Sequence, residues 1–267
     1  MNRIDKKFKD LRKRKKKAFI AYITAGDPNL SMTKDIVLAL ERSGVDIIEL
    51  GIPFSDPLAD GLTIQAASHR ALLRGVSLRK IFSLIGNLRK ATDIPIAFMT
   101  YYNPVLRYGV QAFVKSCRQT GVDGVIVPDL PFEEAADLVK YAKKYGVAAI
   151  FLTAPTSTKG RIGNIVKRST GFVYYVSLTG VTGARKKLPA EITSKVRIIK
   201  SMTKKPVAVG FGVSNTGQAR SIAKIADGVI VGSAIVKIIA KYQKNRKMLI
   251  SKVSDFSKGL AKAIHSA

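Results

Sequence analysis

Short apolar runs alternate with longer stretches of helical periodicity eight times along this chain, and few folds accept that pattern. The runs cover residues 19–24, 46–50, 94–99, 124–127, 148–152, 172–176, 206–209 and 228–231. They are apolar almost without interruption, which marks strands buried on both faces and hence a parallel sheet. One of the intervening segments starts at Pro131, with Glu133 and Glu134 in its first turn and Phe132, Ala135, Val139 and Ala142 along one face. Proline and early acids suit the unpaired N–H groups and the dipole of a helix start. Another starts at Asn215, where Asn215 and Gln218 have the spacing of a capping box. A Gly-Val-Asp turn or a relative of it precedes several runs, at residues 44–46, 121–123, 146–148 and 226–228. Glycine there would end the preceding helix in the left-handed conformation.

Eight strand–helix units in 267 residues predict one α/β domain, residues 1–267, folded as a (β/α)8 (TIM) barrel, an architecture of about 250 residues. No linker or low-complexity segment divides the chain. The alternative is a doubly wound open sheet. That fold usually shows a dinucleotide fingerprint near its first strand, and Gly26-Asp27-Pro28 is not one. Ahead of the first run, Ile4, Phe8 and Leu11 recur on one helical face. They predict an extra N-terminal helix that caps the bottom of the barrel, with the basic residues 12–17 leading from it into the first strand.

No stretch approaches the ~18 consecutive apolar residues of a membrane span. The N-terminus lacks the apolar core and cleavage site of a secretory signal. With Cys117 as its one cysteine, the chain is expected in a reducing cytoplasm. Lys and Arg total 46 against 18 acidic residues, a formal charge of +28. The excess is spread over nearly every helical segment, so it reads as solvated faces rather than one patch. Nucleic acid is not an expected main ligand, although the charge should attract an anionic substrate or an acidic partner surface. Nothing has metal-ligand spacing, and no lysine closes a strand as a Schiff-base aldolase would require.

A barrel of this kind works at the C-terminal ends of its strands. The second run ends in Glu49, and the loop after it holds Asp56 and Asp60 between prolines and Gly61. Glu49 either points into the barrel mouth or forms a buried salt bridge. Asp56 and Asp60 either serve chemistry or cap turns. Gly210-Phe211-Gly212 follows the seventh run, and Gly232-Ser233 opens a helix after the eighth. Glycines and a helix N-terminus at those two places make the common phosphate site of such barrels. The glycine-bearing stretch 177–185 suits a lid.

Together these residues resemble the tryptophan synthase alpha chain family. The stretch 49–61, Glu-Leu-Gly-Ile-Pro-Phe-Ser-Asp-Pro-Leu-Ala-Asp-Gly, is similar to its signature, and residues 24–28, 127–131, 180–183, 210–214 and 232–236 follow its order and spacing. The resemblance implies a retro-aldol cleavage of indole-3-glycerol phosphate to indole and glyceraldehyde 3-phosphate. It gives Glu49 the general acid/base role and Asp60 the role of partner carboxylate on the indole N–H. It places the phosphate on Gly183, Phe211, Gly212, Gly232 and Ser233, and the indole among Tyr22, Met99, Ile126 and Ile230, with Tyr174 near the glutamate. Thr182 would reach Asp60 from the closed lid, and Asp56 would face a β subunit in an α2β2 complex. Pyridoxal phosphate would belong to that β chain, with no cofactor in this one. The chain departs from the family at Leu62, where proline is common, at Leu178, where some members carry arginine, and at Tyr22, where phenylalanine is frequent. A stand-alone lyase without a β chain would share every catalytic residue. A non-catalytic binding barrel would have little reason to retain both Glu49 and Asp60.

Overall fold

A computed structural model describes residues 1–176, 190–210 and 212–267. All the strands are parallel: β1 (Ala18–Thr24), β2 (Ile47–Gly51), β3 (Ile96–Met99), β4 (Gly124–Ile126), β5 (Ala148–Ile150), β6 (Leu152–Thr153), β7 (Val173–Val176), β8 (Val207–Gly210) and β9 (Gly228–Val231). They follow the order β5-β4-β3-β2-β1-β9-β8-β7-β6. The two ends of that order, β5 and β6, are consecutive in the chain and separated by Phe151 alone. The fifth apolar run therefore switches partner part-way along. Its first half pairs with β4, its second half with β7, and the Phe151 carbonyl accepts the Tyr174 N–H at 3.1 Å. The ring closes through that switch, which gives the expected barrel and excludes the open doubly wound sheet.

Side chains alternate across the barrel wall, as the period of a strand requires. In β1, Phe19, Ala21 and Ile23 join the large outer core under the helices, while Ala18 and Ile20 join an inner cluster with Ile47, Ile126, Ile150 and Ile230. The helix Arg3–Lys13 closes the bottom, as its periodicity predicts. Ile4, Phe8 and Leu11 belong to the inner cluster, and the Phe8 ring lies 5.7 Å from that of Phe172. Its cap residue Asn2 accepts from Ile4 N and donates to the carbonyls of Asp123 and Gly146, at 2.6 and 3.0 Å, so the helix start is tied to two αβ turns.

Three of the four glycine turns behave as expected, while in the fourth Gly228 opens β9 without a positive φ, and the helix before it ends at Ala223 with Lys224 as its cap. Gly121 and Gly146 end their helices in the left-handed region, and Gly44 also has positive φ. The aspartates that follow or precede them do more. Asp46, Asp123 and Asp227 each accept an N–H from the start of a neighbouring strand, Phe19 at 2.9 Å, Ile96 at 2.9 Å and Val207 at 3.0 Å. Asp123 is also held by Arg89 at 2.9 Å and Arg3 at 3.1 Å. Asn215 caps its helix by accepting from Gln218 N at 2.9 Å. One helix starts later than its sequence suggests, at Ala136–Tyr145. Glu133 and Glu134 lie in the turn before it, and Glu133 pairs with Arg161. The Arg161 and Arg168 guanidiniums lie over the Phe132 ring, at 4.9 and 5.5 Å. That cover lets Phe132 stay buried in an irregular turn.

Removing Asp123 leaves the mostly buried Arg89 without its counter-ion and Ile96 N–H without an acceptor. Asp123→Ala should cost about 3–5 kcal/mol in denaturant unfolding, whereas Asp93→Ala, which removes a carboxylate that pairs with Arg3 while itself 90% exposed, should cost less than about 1 kcal/mol. Equal losses would contradict this account of the barrel floor.

Candidate active site

Strand β2 is flanked by β1 and β3, and its register sets Glu49 level with Tyr22 on one side and Ala97 on the other. All three side chains face the barrel interior. Glu49 is 1% exposed, and its Oε2 has no hydrogen-bond partner among the described residues. Among the described residues Glu49 forms no salt bridge, and this oxygen is desolvated without compensation. Burial, with a smaller push from Asp60, raises its pKa from the ordinary 4.5 to about 8. A carboxylic acid protonated at neutral pH in a barrel mouth is a proton donor.

Asp60 ends the loop after β2. The helix Leu62–Leu73 that follows is capped by Gly61 without any side-chain hydrogen bond, so Asp60 does not serve as its cap. Gln65 Nε2 holds the Asp60 carbonyl at 2.8 Å, and the Asp60 N–H bonds to Pro57 O at 3.0 Å. Burial raises the Asp60 pKa to about 6, against a lowering hydrogen bond from the Tyr101 hydroxyl. The site therefore pairs a protonated Glu49 with a mostly ionised Asp60 at pH 7.

Two tyrosines stand beside these acids. Tyr22 and Tyr174 are 7% and 6% exposed. Burial raises both phenol pKa values, and the field of Glu49 and Asp60 adds to the rise. Their rings fill the space beside glycines. A Cβ on Gly51 would overlap the Tyr22 ring, and one on Gly210 would come within 2.9 Å of the Tyr174 hydroxyl. The Tyr22 hydroxyl has a contact of 3.4 Å with Thr24 Oγ1. Ile126 and Ile230 lie in the inner cluster below, and Met99, only partly buried, packs against the same group. Gly232 precedes the helix Ser233–Tyr242, whose first N–H groups have no side-chain cap, and Gly212 sits at φ 42° after β8. Asp56 is exposed on the outer part of the loop, beside Ser55. Thr182, Gly183 and Phe211, with the expected lid at 177–185, lie outside the described residues.

Tyr101 is the residue that the sequence reading missed. It follows β3 at the barrel mouth, 6% exposed, with its hydroxyl accepting from Ala59 N at 2.9 Å and its ring stacked 5.3 Å from Phe54. An aromatic residue just beyond a strand was the available signal. His69 is exposed on its helix, and His265 pairs with Asp46 at 2.8 Å on the opposite face of the barrel; neither approaches the acids.

Comparison with known proteins is specific. The family model described as tryptophan synthase alpha chain matches residues 8–265. The chain is 50% identical over 256 residues to the tryptophan synthase alpha chain of Caldanaerobacter subterraneus subsp. tengcongensis, covering 96% of this chain and 97% of that one. It is 48% identical over 264 residues to that of Thermoanaerobacter sp., covering 99% and 100%. The chain belongs to the tryptophan synthase alpha chain family. A crystal structure of tryptophan synthase subunit alpha from Legionella pneumophila superposes with a TM-score of 0.92 at 35% identity, covering 99% of this chain and 98% of that one. The Mycobacterium tuberculosis tryptophan synthase gives 0.90 at 37% identity, covering 99% of each. The chain is thus an enzyme, a lyase of tryptophan biosynthesis that cleaves indole-3-glycerol phosphate to indole and glyceraldehyde 3-phosphate. The family has no cofactor of its own, pyridoxal phosphate belonging to the β chain, and it implies a β-subunit partner. Among the described residues no helix is long and apolar enough to cross a membrane.

Desolvation of Glu49 has a stability signature. Its pKa is higher folded than unfolded, so between about pH 5 and 8 the native state binds a proton that the unfolded chain has released, and stability falls as pH rises. Glu49→Gln removes that titration. Guanidinium unfolding at pH 5, 7 and 9 should show the variant gaining on the parent chain as pH rises, by roughly a few kcal/mol at most. Parallel curves would mean that Glu49 is solvated.

Proposed function

We propose that Glu49 and Asp60 divide the acid–base work of the cleavage between them. Glu49, protonated at neutral pH, gives its proton to C3 of the indole ring. The ring nitrogen then carries positive charge, and the ionised Asp60 accepts the indole N–H and stabilises that charge. The Glu49 carboxylate next takes the proton of the glycerol hydroxyl adjoining the ring. The C–C bond breaks, its electron pair returns to the indole, and glyceraldehyde 3-phosphate leaves with its new carbonyl. Glu49 ends protonated again, so the cycle balances. The observation that carries this reading is the buried, unpartnered Glu49 carboxyl beside a less buried Asp60.

The remaining residues follow from that placement. Tyr22, Met99, Ile126 and Ile230 line the indole pocket and Tyr174 shields Glu49 from water. The phosphate sits on Gly183, Phe211, Gly212, Gly232 and Ser233, where the uncapped start of the helix Ser233–Tyr242 supplies N–H donors. In a barrel of this topology the helix that follows each strand starts at the mouth. Among the described residues most of these helices lack an acid in the first turn, Asp137 and Glu191 being the exceptions. The mouth therefore keeps the positive ends of its helix dipoles, which favours an anionic substrate. Thr182 would complete the site from the lid, and Asp56 would contact a β chain in an α2β2 complex. This reading treats residues 1–267 as one domain and places it in the cytoplasm, in keeping with its single, buried cysteine.

Indole release from indole-3-glycerol phosphate by the purified chain, with and without a β subunit, tests the proposal. Glu49→Gln and Asp60→Asn should each lose about 10²–10⁴ in kcat/KM. The pH profile should be a bell with limbs near 6 and 8, falling in acid as Asp60 is protonated and in base as Glu49 loses its proton, and Asp60→Asn should abolish the acid limb. Strong acceleration by β supports the subunit role. Rapid cleavage indifferent to β would favour a stand-alone lyase, and full activity in Glu49→Gln would reject the assignment.

A further inference from the structure

We infer that Tyr101 is a positioning residue for this reaction, holding the Asp60 carboxylate and its loop against the barrel before substrate arrives. The inference rests on the role proposed above for Asp60.

Asp60 needs such a support. The loop that carries it is thinly packed: Ser55, Asp56 and Ala59 are exposed, and Leu58 is 93% exposed. A carboxylate on so open a segment would sample many positions, and catalysis by a fixed charge depends on that charge being in place before the transition state forms. Tyr101, by contrast, belongs to the scaffold. It lies two residues beyond the end of β3 and is 6% exposed.

Tyr101 grips the loop at both ends. Its ring stacks on Phe54, with centroids 5.3 Å apart and planes at 29°, near the start of the loop. Its hydroxyl oxygen accepts the Ala59 N–H at 2.9 Å near the end. That acceptance leaves the hydroxyl's one proton for the neighbouring Asp60 carboxylate, whose ionised form it favours. The backbone of Asp60 is fixed separately through Gln65. A donor to the ionised form also opposes the upward push of burial on the Asp60 pKa. A carboxylate has two oxygens, so Asp60 keeps this bond and still accepts an indole N–H.

Tyr101→Phe in the full chain is the test, since it keeps the ring and the stack on Phe54 but deletes the hydroxyl. Phe54→Leu loosens the stack and keeps the hydroxyl, and Asp60→Asn reports on the carboxylate itself. For indole-3-glycerol phosphate, Tyr101→Phe should lower kcat by roughly 10- to 100-fold, the range for one hydrogen bond to a charged group, with KM changed less than about threefold. Its acid limb should move to higher pH, because Asp60 loses the donor that favoured its ionised form. Phe54→Leu should leave that limb in place. An unchanged kcat and acid limb in Tyr101→Phe would overturn the inference. So would an equal loss of activity in Tyr101→Phe and Phe54→Leu without any shift of the limb, since Tyr101 would then act by packing alone. If Asp60→Asn stays active, the role of Asp60 itself fails; if it is dead while Tyr101→Phe matches the parent chain, only the inference about Tyr101 fails.

Discussion

A parallel sheet rolled into a ring has no free edge, but the N–H groups at the starts of its strands lie at the barrel floor and still need acceptors. In this chain Asp46, Asp123 and Asp227 supply them, each from the turn before one strand to the start of a neighbouring strand. Thr170 does the same for Ala149 N at 2.8 Å. A buried donor left unpaired costs on the order of 1–3 kcal/mol, so these side chains fix the register at the bottom of the barrel. Register at the bottom sets register at the top. A slip of one residue in β2 would turn Glu49 from the mouth into the outer core.

The two ends of the barrel thus use carboxylates in opposite ways. At the floor Asp123 is surrounded by Arg89, Arg3 and a backbone donor, so its charge is satisfied. At the mouth Glu49 is buried with one oxygen unpartnered, so its charge is suppressed and its proton retained. The same barrel interior holds a closely packed apolar cluster that includes Ile47, Ile126, Ile150 and Ile230. The basic excess follows a similar division. Most helices carry Lys or Arg in the last turn, for example Lys143 and Lys144 or Lys167 and Arg168, where they meet the negative end of the dipole at the floor.

Much of this was legible in the residues, and the misses have physical causes. Alternation of apolar runs is a local signal, and its eight runs located every strand of the ring, β5 and β6 as one run, and the plug at Ile4, Phe8 and Leu11. Partner exchange at Phe151 is not local: the run looks continuous, and only closure of the ring splits it. The start of the helix at Ala136 was misplaced because Pro131 and the two glutamates imitate a helix start, while Arg161 and Arg168 stabilise a turn there from another helix. Glu49 and Asp60 stood out because charge at the end of an apolar strand is conspicuous. Tyr101 did not, since an aromatic residue near a strand end is ordinary until its hydroxyl is seen on Ala59. The capping alternative for Asp60 could be dismissed only once Gly61 was seen to begin the helix without side-chain help.

Strand β1 pairs with β9, joining Ala18 to Gly228 and Ile20 to Ile230. During synthesis the first strand therefore leaves the ribosome long before the neighbour that completes it. Until Gly228–Val231 emerges, the nascent sheet keeps an open side of unsatisfied amides and carbonyls, which is a template for pairing with other chains. Contacts so distant in sequence also slow the final step of folding. The helix Arg3–Lys13 and the exposed residues 12–16, all Lys or Arg, lie immediately upstream of that first strand. Like charges at that position oppose the approach of one unfinished edge to another.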